Sequence, residues 1–165
     1  MSTESQFERL CAPELRAVYC YITSRVSLND AEDVLQETLL SAWKSFGSFD
    51  HRSSVRTWLI SVARRRICDL YRSREGLPEF EDDPELDPKS EERLEESSAE
   101  KLDVASAIGS LSLAEQELVT LIFDSGLSYE EVAEVVGIPV GTVKSRMSSI
   151  RKKLRAKLGE GYHEL

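Results

Sequence analysis

A chain of 165 residues with a hydrophobic fraction of 41% has room for one ordinary domain or two small ones, each with a modest core. No apolar run approaches the roughly 18 residues that mark a membrane span. Met1 to Arg16 carries no basic stretch followed by an apolar one, so a cytoplasmic protein without a membrane span is expected. The net charge of −9 argues against a nucleic-acid partner only until it is divided along the chain. Residues 51–74 carry seven arginines against Asp69, and residues 140–158 carry seven lysines or arginines and no acid. Residues 75–100 carry twelve acids against Lys89 and Arg93. Phosphate contact depends on the local field, so two basic patches flanking an acidic strip are compatible with binding DNA.

Cys11, Cys20 and Cys68 form no CxxC pair, and an odd count in a cytoplasmic chain excludes a full disulfide framework. All three are read as packing residues. His51 and His163 have no companions at metal-ligand spacing. With no Ser/His/Asp set and no phosphate loop, neither catalytic residue, metal nor cofactor is expected, and an enzyme is disfavoured.

Residues 5–26 show a weak helical pattern interrupted near Pro13, which is tolerable in a first turn. Ala31, Val34, Leu35, Thr38, Leu39, Ala42, Trp43 and Phe46 keep a 3–4 spacing over four turns, predicting a helix capped by Asn29 or Asp30 and ended by Gly47. Its polar side holds Asp33, Gln36 and Glu37. A second stripe of Val55, Trp58, Leu59, Val62, Ala63, Ile67 and Leu70 predicts a helix over 53–72, capped by Ser53 or Ser54. On spacing alone Trp58 belongs to the core, whereas three adjacent cations, Arg64, Arg65 and Arg66, have no evident role in folding. Residues 76–100 hold three prolines, many acids and few apolar groups, the composition of a flexible linker, with nascent helix from Ser90.

Beyond the linker, a helix is predicted over 112–124 around Leu113, Leu118, Leu121 and Ile122, closing before Gly126. Ser128 and Glu131 are spaced as a capping box opening the short helix Tyr129–Val136, and Gly137 suits a left-handed stop. Pro139 can start the next helix, which puts Val140, Val143, Met147, Ile150, Leu154 and Leu158 on one face and its cations elsewhere. A short helix, a tight glycine turn and a longer basic helix make a helix-turn-helix. Its base readers would lie within Thr142–Ser149, with Lys152, Lys153, Arg155 and Lys157 on the phosphates. The whole is all-α: two small helical domains joined by an acidic linker, with boundaries at 1–75, 76–104 and 105–165.

Two stretches, DAEDVLQETLLSAWKSF (30–46) and TWLISVARRRICDLYRSR (57–74), resemble region 2 of extracytoplasmic-function sigma factors. LSYEEVAEVVGIPVGTVKSRMSSIRKKLRAKL (127–158) resembles their region 4. The resemblance implies a transcription-initiation subunit whose partners are core RNA polymerase, promoter DNA and an anti-sigma factor. Asp33, Gln36 and Glu37 would dock on the clamp helices of the largest polymerase subunit, and the C-terminal unit near the flap of the second. His51, Arg52, Ser53, Arg56, Trp58, Arg64, Arg65, Arg66, Asp69 and Arg72 would engage and melt the −10 element. Thr142, Lys144, Ser145, Arg146, Ser148, Ser149, Lys152 and Lys153 would read the −35 duplex, and the acidic linker would thread toward the RNA path. The family pattern has asparagine where this chain has Arg65, and His-Arg where it has Ser148 and Ser149, so promoter sequence does not carry over. The competing class is a dimeric helix-turn-helix regulator with an N-terminal sensor domain; the arginine-rich helix at 53–72 is superfluous to it.

Overall fold

Local chemistry at the helix ends sets the frame. In a computed structural model that describes residues 1–74 and 100–159, four serines with extended backbone (Ser2, Ser54, Ser112 and Ser128) each accept a hydrogen bond from the backbone N–H three residues on. Each satisfies a donor that its helix cannot pair internally. At Ser112 and Ser128 the reciprocal bond from Glu115 or Glu131 completes a capping box. The described residues form eight α-helices and no strand. These are α1 (Thr3–Cys11), α2 (Leu15–Arg25), α3 (Leu28–Ser45), α4 (Val55–Ser73), α5 (Glu100–Gly109), α6 (Leu113–Val119), α7 (Tyr129–Val136) and α8 (Val140–Leu158). None is long and apolar enough to cross a membrane.

The all-α, two-unit reading holds. The break near Pro13 is a 3-10 turn, Ala12–Glu14, with the proline in its first turn. Ser54 and not Ser53 caps α4. The start of α3 differs: it begins at Leu28 after Ser27, so Asn29 and Asp30 lie inside the first turn. Asp30 serves elsewhere, accepting from Ser27 Oγ and from Arg74 Nη2 at 2.6 Å. The helix ends at Ser45, two residues before Gly47, in a 3-10 turn. The predicted helix over 112–124 is α6 followed by a π-helical turn, Thr120–Asp124, and Leu113 is exposed. The acidic strip 75–99 lies outside the described residues, as does His163. Helix α5 begins at Glu100, inside the span assigned to the linker.

Two bundles result. In the N-terminal unit α4 packs on α1, α2 and α3 around Val18, Tyr21, Ile22, Ala31, Leu59, Ala63 and Ile67. In the C-terminal unit α8 packs on α5, α6 and α7 through Val143, Met147, Ile150 and Leu154. Helix α4 also touches α7. Coverage on this additional side explains why Thr57 and Ile60 are fully buried although neither lies on the predicted stripe. Cys11 is buried and Cys68 half-buried, but Cys20 is exposed, so the packing role assigned to all three cysteines fails at Cys20.

Lys153 ties α8 to α6, its Nζ lying 2.9 and 3.1 Å from the Glu115 carboxylate. Burial pushes the Glu115 carboxyl up, but the hydrogen bonds from Lys153 and the Ser112 backbone outweigh it and leave the group below its ordinary value. Stability from this pair is therefore complete above the carboxylate's unfolded pKa and is lost as pH falls through the lower folded one. Lys153→Met should raise the Glu115 pKa in a carboxyl NMR titration and move the acid limb of the stability profile to higher pH; an unmoved titration would contradict the pairing. At the helix-turn-helix corner Gly137 has φ +79°, and a Cβ there would meet nothing within 4 Å. Gly137→Ala should thus cost only the left-handed backbone penalty, about 1–2 kcal/mol in urea unfolding. Gly141→Ala, inside α8 and equally open, should gain about 0.5 kcal/mol.

Candidate nucleic-acid interface

With Val143, Met147, Ile150 and Leu154 turned into the core, the 3.6-residue period leaves Lys144, Ser145, Ser148, Ser149 and Lys152 exposed on α8. Thr142 and Arg146 are half-buried beside them. Gly137, closing α7, lets the chain turn into Ile138–Pro139 and start α8. Two cations do structural work as well. Arg151 donates to the Tyr129 hydroxyl at 2.7 Å. Lys153, expected on phosphate, has its charge countered by Glu115 although its side chain is 51% exposed.

The second surface is the loop 49–54 and helix α4. Phe49 stacks on Trp58 with centroids 4.5 Å apart and planes 19° from parallel, and Phe46 lies 6.3 Å away on a tilt. Trp58 is half-buried, so the spacing argument for core holds on one side only. His51 has φ +59°, unusual for a residue with a side chain, and its ring sits 4.5 Å from Phe49. Arg52, 88% exposed, folds back on Asp50 at 3.0 Å. The loop therefore presents His51 and Arg52 outward from an aromatic base, with Ser53 half-buried beneath them.

The arginines of α4 do not form one uniform cationic face. Arg65 is exposed, and Arg66 and Arg72 share Asp69 at 2.9 and 3.6 Å. Arg56 pairs with Glu14 at 2.6 Å and also donates to the Ser125 carbonyl at 2.9 Å. Arg64 donates to Glu117 at 2.7 Å. The expectation that the arginine run has no part in folding is thus wrong for Arg64. Burial opposes its charge, yet Glu117 more than offsets this and raises its pKa. Glu117 is itself buried and accepts from the Tyr21 hydroxyl at 2.9 Å, while burial and the Glu117 charge hold that phenol well above its ordinary pKa. Sequence reasoning missed Glu117 and Arg25 altogether, since nothing local marks an acid on α6 as the partner of cations far upstream.

Asp33, Gln36 and Glu37 are all exposed on α3. Leu40 joins them at 54% exposure, three residues beyond Glu37 and four beyond Gln36, hence on the same face. The spacing alone could have revealed it, because Leu40 falls off the apolar stripe. Trp43 does lie on that stripe but is 42% exposed, touching Phe7 edge-on.

The Sigma-70 region 2 family matches residues 10–76 and the Sigma-70 region 4 family matches residues 101–154, in the order of the two helical units. The chain is 32% identical over 146 residues to the ECF RNA polymerase sigma factor EcfG of Rhodopseudomonas palustris, covering 88% of this chain and 80% of the relative. It is 33% identical over 147 residues to the ECF RNA polymerase sigma factor SigC of Mycobacterium tuberculosis, covering 84% and 76%. The sigma factor RpoE of Bartonella quintana, solved in complex with the anti-sigma factor NepR, superposes with a TM-score of 0.70 at 29% identity, covering 95% of this chain and 99% of that one. CnrH in complex with the cytosolic domain of CnrY superposes at 0.66 with 26% identity, covering 98% and 92%. Matches to both regions, relatives aligned over most of their length and a shared fold converge on one conclusion: the chain belongs to the sigma-70 family, as an RNA polymerase sigma factor of the extracytoplasmic-function type.

Proposed function

We propose that this chain docks on core RNA polymerase in the cytoplasm and directs it to promoters through two DNA-reading units. The observation that carries the reading is the presence, in one chain and in family order, of a region 2 unit and a region 4 unit, each bearing cations at its surface. The unit within 1–75 meets the polymerase clamp through Asp33, Gln36, Glu37 and Leu40, and engages the −10 element. His51, Arg52 and Ser53 rim the loop that takes an unstacked base, with Trp58 as part of its floor. Arg56, Arg64, Arg65, Arg66 and Arg72 follow the unpaired strand, and Asp69 orients the last two. Stacking and backbone charge are what single-stranded DNA requires.

The unit running from Glu100 to the end of the chain reads the −35 duplex and sits near the polymerase flap. Thr142, Lys144, Ser145, Arg146, Ser148 and Ser149 face base edges, and Lys152 grips phosphate with a smaller contribution from Lys153. The acidic segment 76–99 spans the distance between the two elements. Two weak DNA units on one platform gain from effective concentration, so the free chain binds promoter DNA poorly. An anti-sigma factor is its proposed regulator, supported by the likeness to RpoE in its complex with the anti-sigma factor NepR.

Run-off transcription with purified core polymerase tests the assignment. Initiation from one defined start, dependent on this chain, is expected; a chain that never associates with core polymerase would overturn it. Within the holoenzyme, Lys152→Ala should weaken binding at every promoter and lower the salt slope by about one. Lys144→Ala should instead relax base choice at one −35 position, by about 1–3 kcal/mol.

A further inference from the structure

Helices α4 and α7 leave between them a cavity of about 390 Å³, within the range of about 300–1,000 Å³ that small-molecule sites occupy. Its α4 wall carries Arg64, Arg65, Arg66 and Arg72, and its α7 wall carries Glu134 and Val135. Arg64 is committed to Glu117 at 2.7 Å and has the least to offer a ligand. Arg65 is exposed. Asp69, also on α4, holds two of the cations side by side, with Arg66 Nη2 at 2.9 Å and Arg72 Nη1 at 3.6 Å. The Nε of Arg66 is buried, yet it meets no acceptor among the described residues. A buried guanidinium donor is rarely left in that state without a partner to receive it.

We propose that this cavity binds a small phosphorylated ligand of the nucleotide class, with a chain of two or more phosphates at one end and hydroxyl or amino donors at the other. Guanidiniums present N–H donors in a fixed fork that matches phosphate oxygens. Arg65, Arg66 and Arg72 take the phosphates, and the unmatched Nε of Arg66 gains its acceptor there. Because Asp69 already sets Arg66 and Arg72 beside each other, little further ordering is needed when the anion arrives. Glu134 is exposed and, as a carboxylate, can only accept. It therefore suits the hydroxyls of a ribose or the amino edge of a base, while Val135 offers apolar surface to the ring. A continuous nucleic-acid strand suits the cavity less well, since Asp69 and Glu134 would both repel an unbroken run of phosphates. The site rests on its two walls and not on the promoter function.

Isothermal titration calorimetry on the full-length protein, with GDP, ADP and inorganic pyrophosphate as separate probes, tests this. GDP or ADP should bind one to one, about tenfold or more tighter than pyrophosphate, which can satisfy the arginines but not Glu134. Arg66→Met should weaken the nucleotide about tenfold or more. Glu134→Ala should bring nucleotide and pyrophosphate together by weakening the nucleotide alone. Lys44→Ala, an exposed cation on α3, should leave both affinities as they are. The site is overturned if neither nucleotide binds, or if pyrophosphate binds as tightly as the nucleotides. Unchanged nucleotide affinity in an Arg66→Met protein of wild-type circular dichroism would also overturn it, as would an equal loss in Lys44→Ala, the mark of diffuse attraction. If Arg66→Met does not fold, Glu134→Ala decides, and a nucleotide preference that survives there refutes the site. Every titration is read without DNA or polymerase, so a failed promoter function would leave these results standing.

Discussion

A carboxylate with almost no access to water organises the meeting of the two helical units. Glu117 sits among Tyr21, Arg25 and Arg64, and each of these groups makes sense only in the presence of the others. An unpaired charge at that depth would cost several kcal/mol, so the N-terminal unit must supply cations wherever the C-terminal unit brings its acid. The apolar surroundings reinforce the demand, because buried residues of both units form one continuous cluster. The seam is thus specified by charge matching and not by apolar contact alone. Ion pairing of this kind contributes little net stability compared with hydrophobic packing, but it selects one arrangement and can be undone by hydration or by a competing anion.

The same segregation of charge explains how an acidic protein can work on DNA. Its acids concentrate in residues 75–100 and at the helix starts, where Glu115 and Glu131 complete caps. Its cations concentrate on α4 and α8. On α8 the apolar face holds the helix to its own unit and leaves the outward face free of acids, a surface suited to duplex DNA. On α4 Arg56 is paired with Glu14, Arg66 and Arg72 with Asp69, and Arg64 with Glu117 of the other unit. Both basic helices are partly engaged, α8 at Arg151 and Lys153 and α4 at Arg56, Arg64, Arg66 and Arg72.

Much of this was legible in the sequence, and the reason is local. The capping box of Ser128 and Glu131, the glycine stop at Gly137 and the 3–4 apolar spacing of α8 are decided by residues within a turn or two of one another, and each appears where the spacing places it. The start of α3 was misplaced because Asn29 and Asp30 look like caps, whereas Asp30 is drawn to Arg74 and Ser27 takes the boundary position. The failures on α4 are of another kind. Thr57, Ile60 and Arg64 are buried or engaged because a distant unit lies on them, and no periodicity within the helix can announce that. Glu117 was invisible for the same reason, its partners Tyr21 and Arg25 lying on a helix near the opposite end of the chain. Leu40 could have been found from its spacing to Gln36 and Glu37, had the polar face been searched for an apolar member.

In the proposed function this chain and core polymerase jointly open DNA. The most direct measurement is the permanganate reactivity of unpaired thymines in promoter DNA. Reactive thymines near the start site should appear only when chain and core polymerase are both present, and vanish when either is withheld. Duplex that stays unreactive with both components present, together with tight binding of a palindromic site by the chain alone, would contradict it.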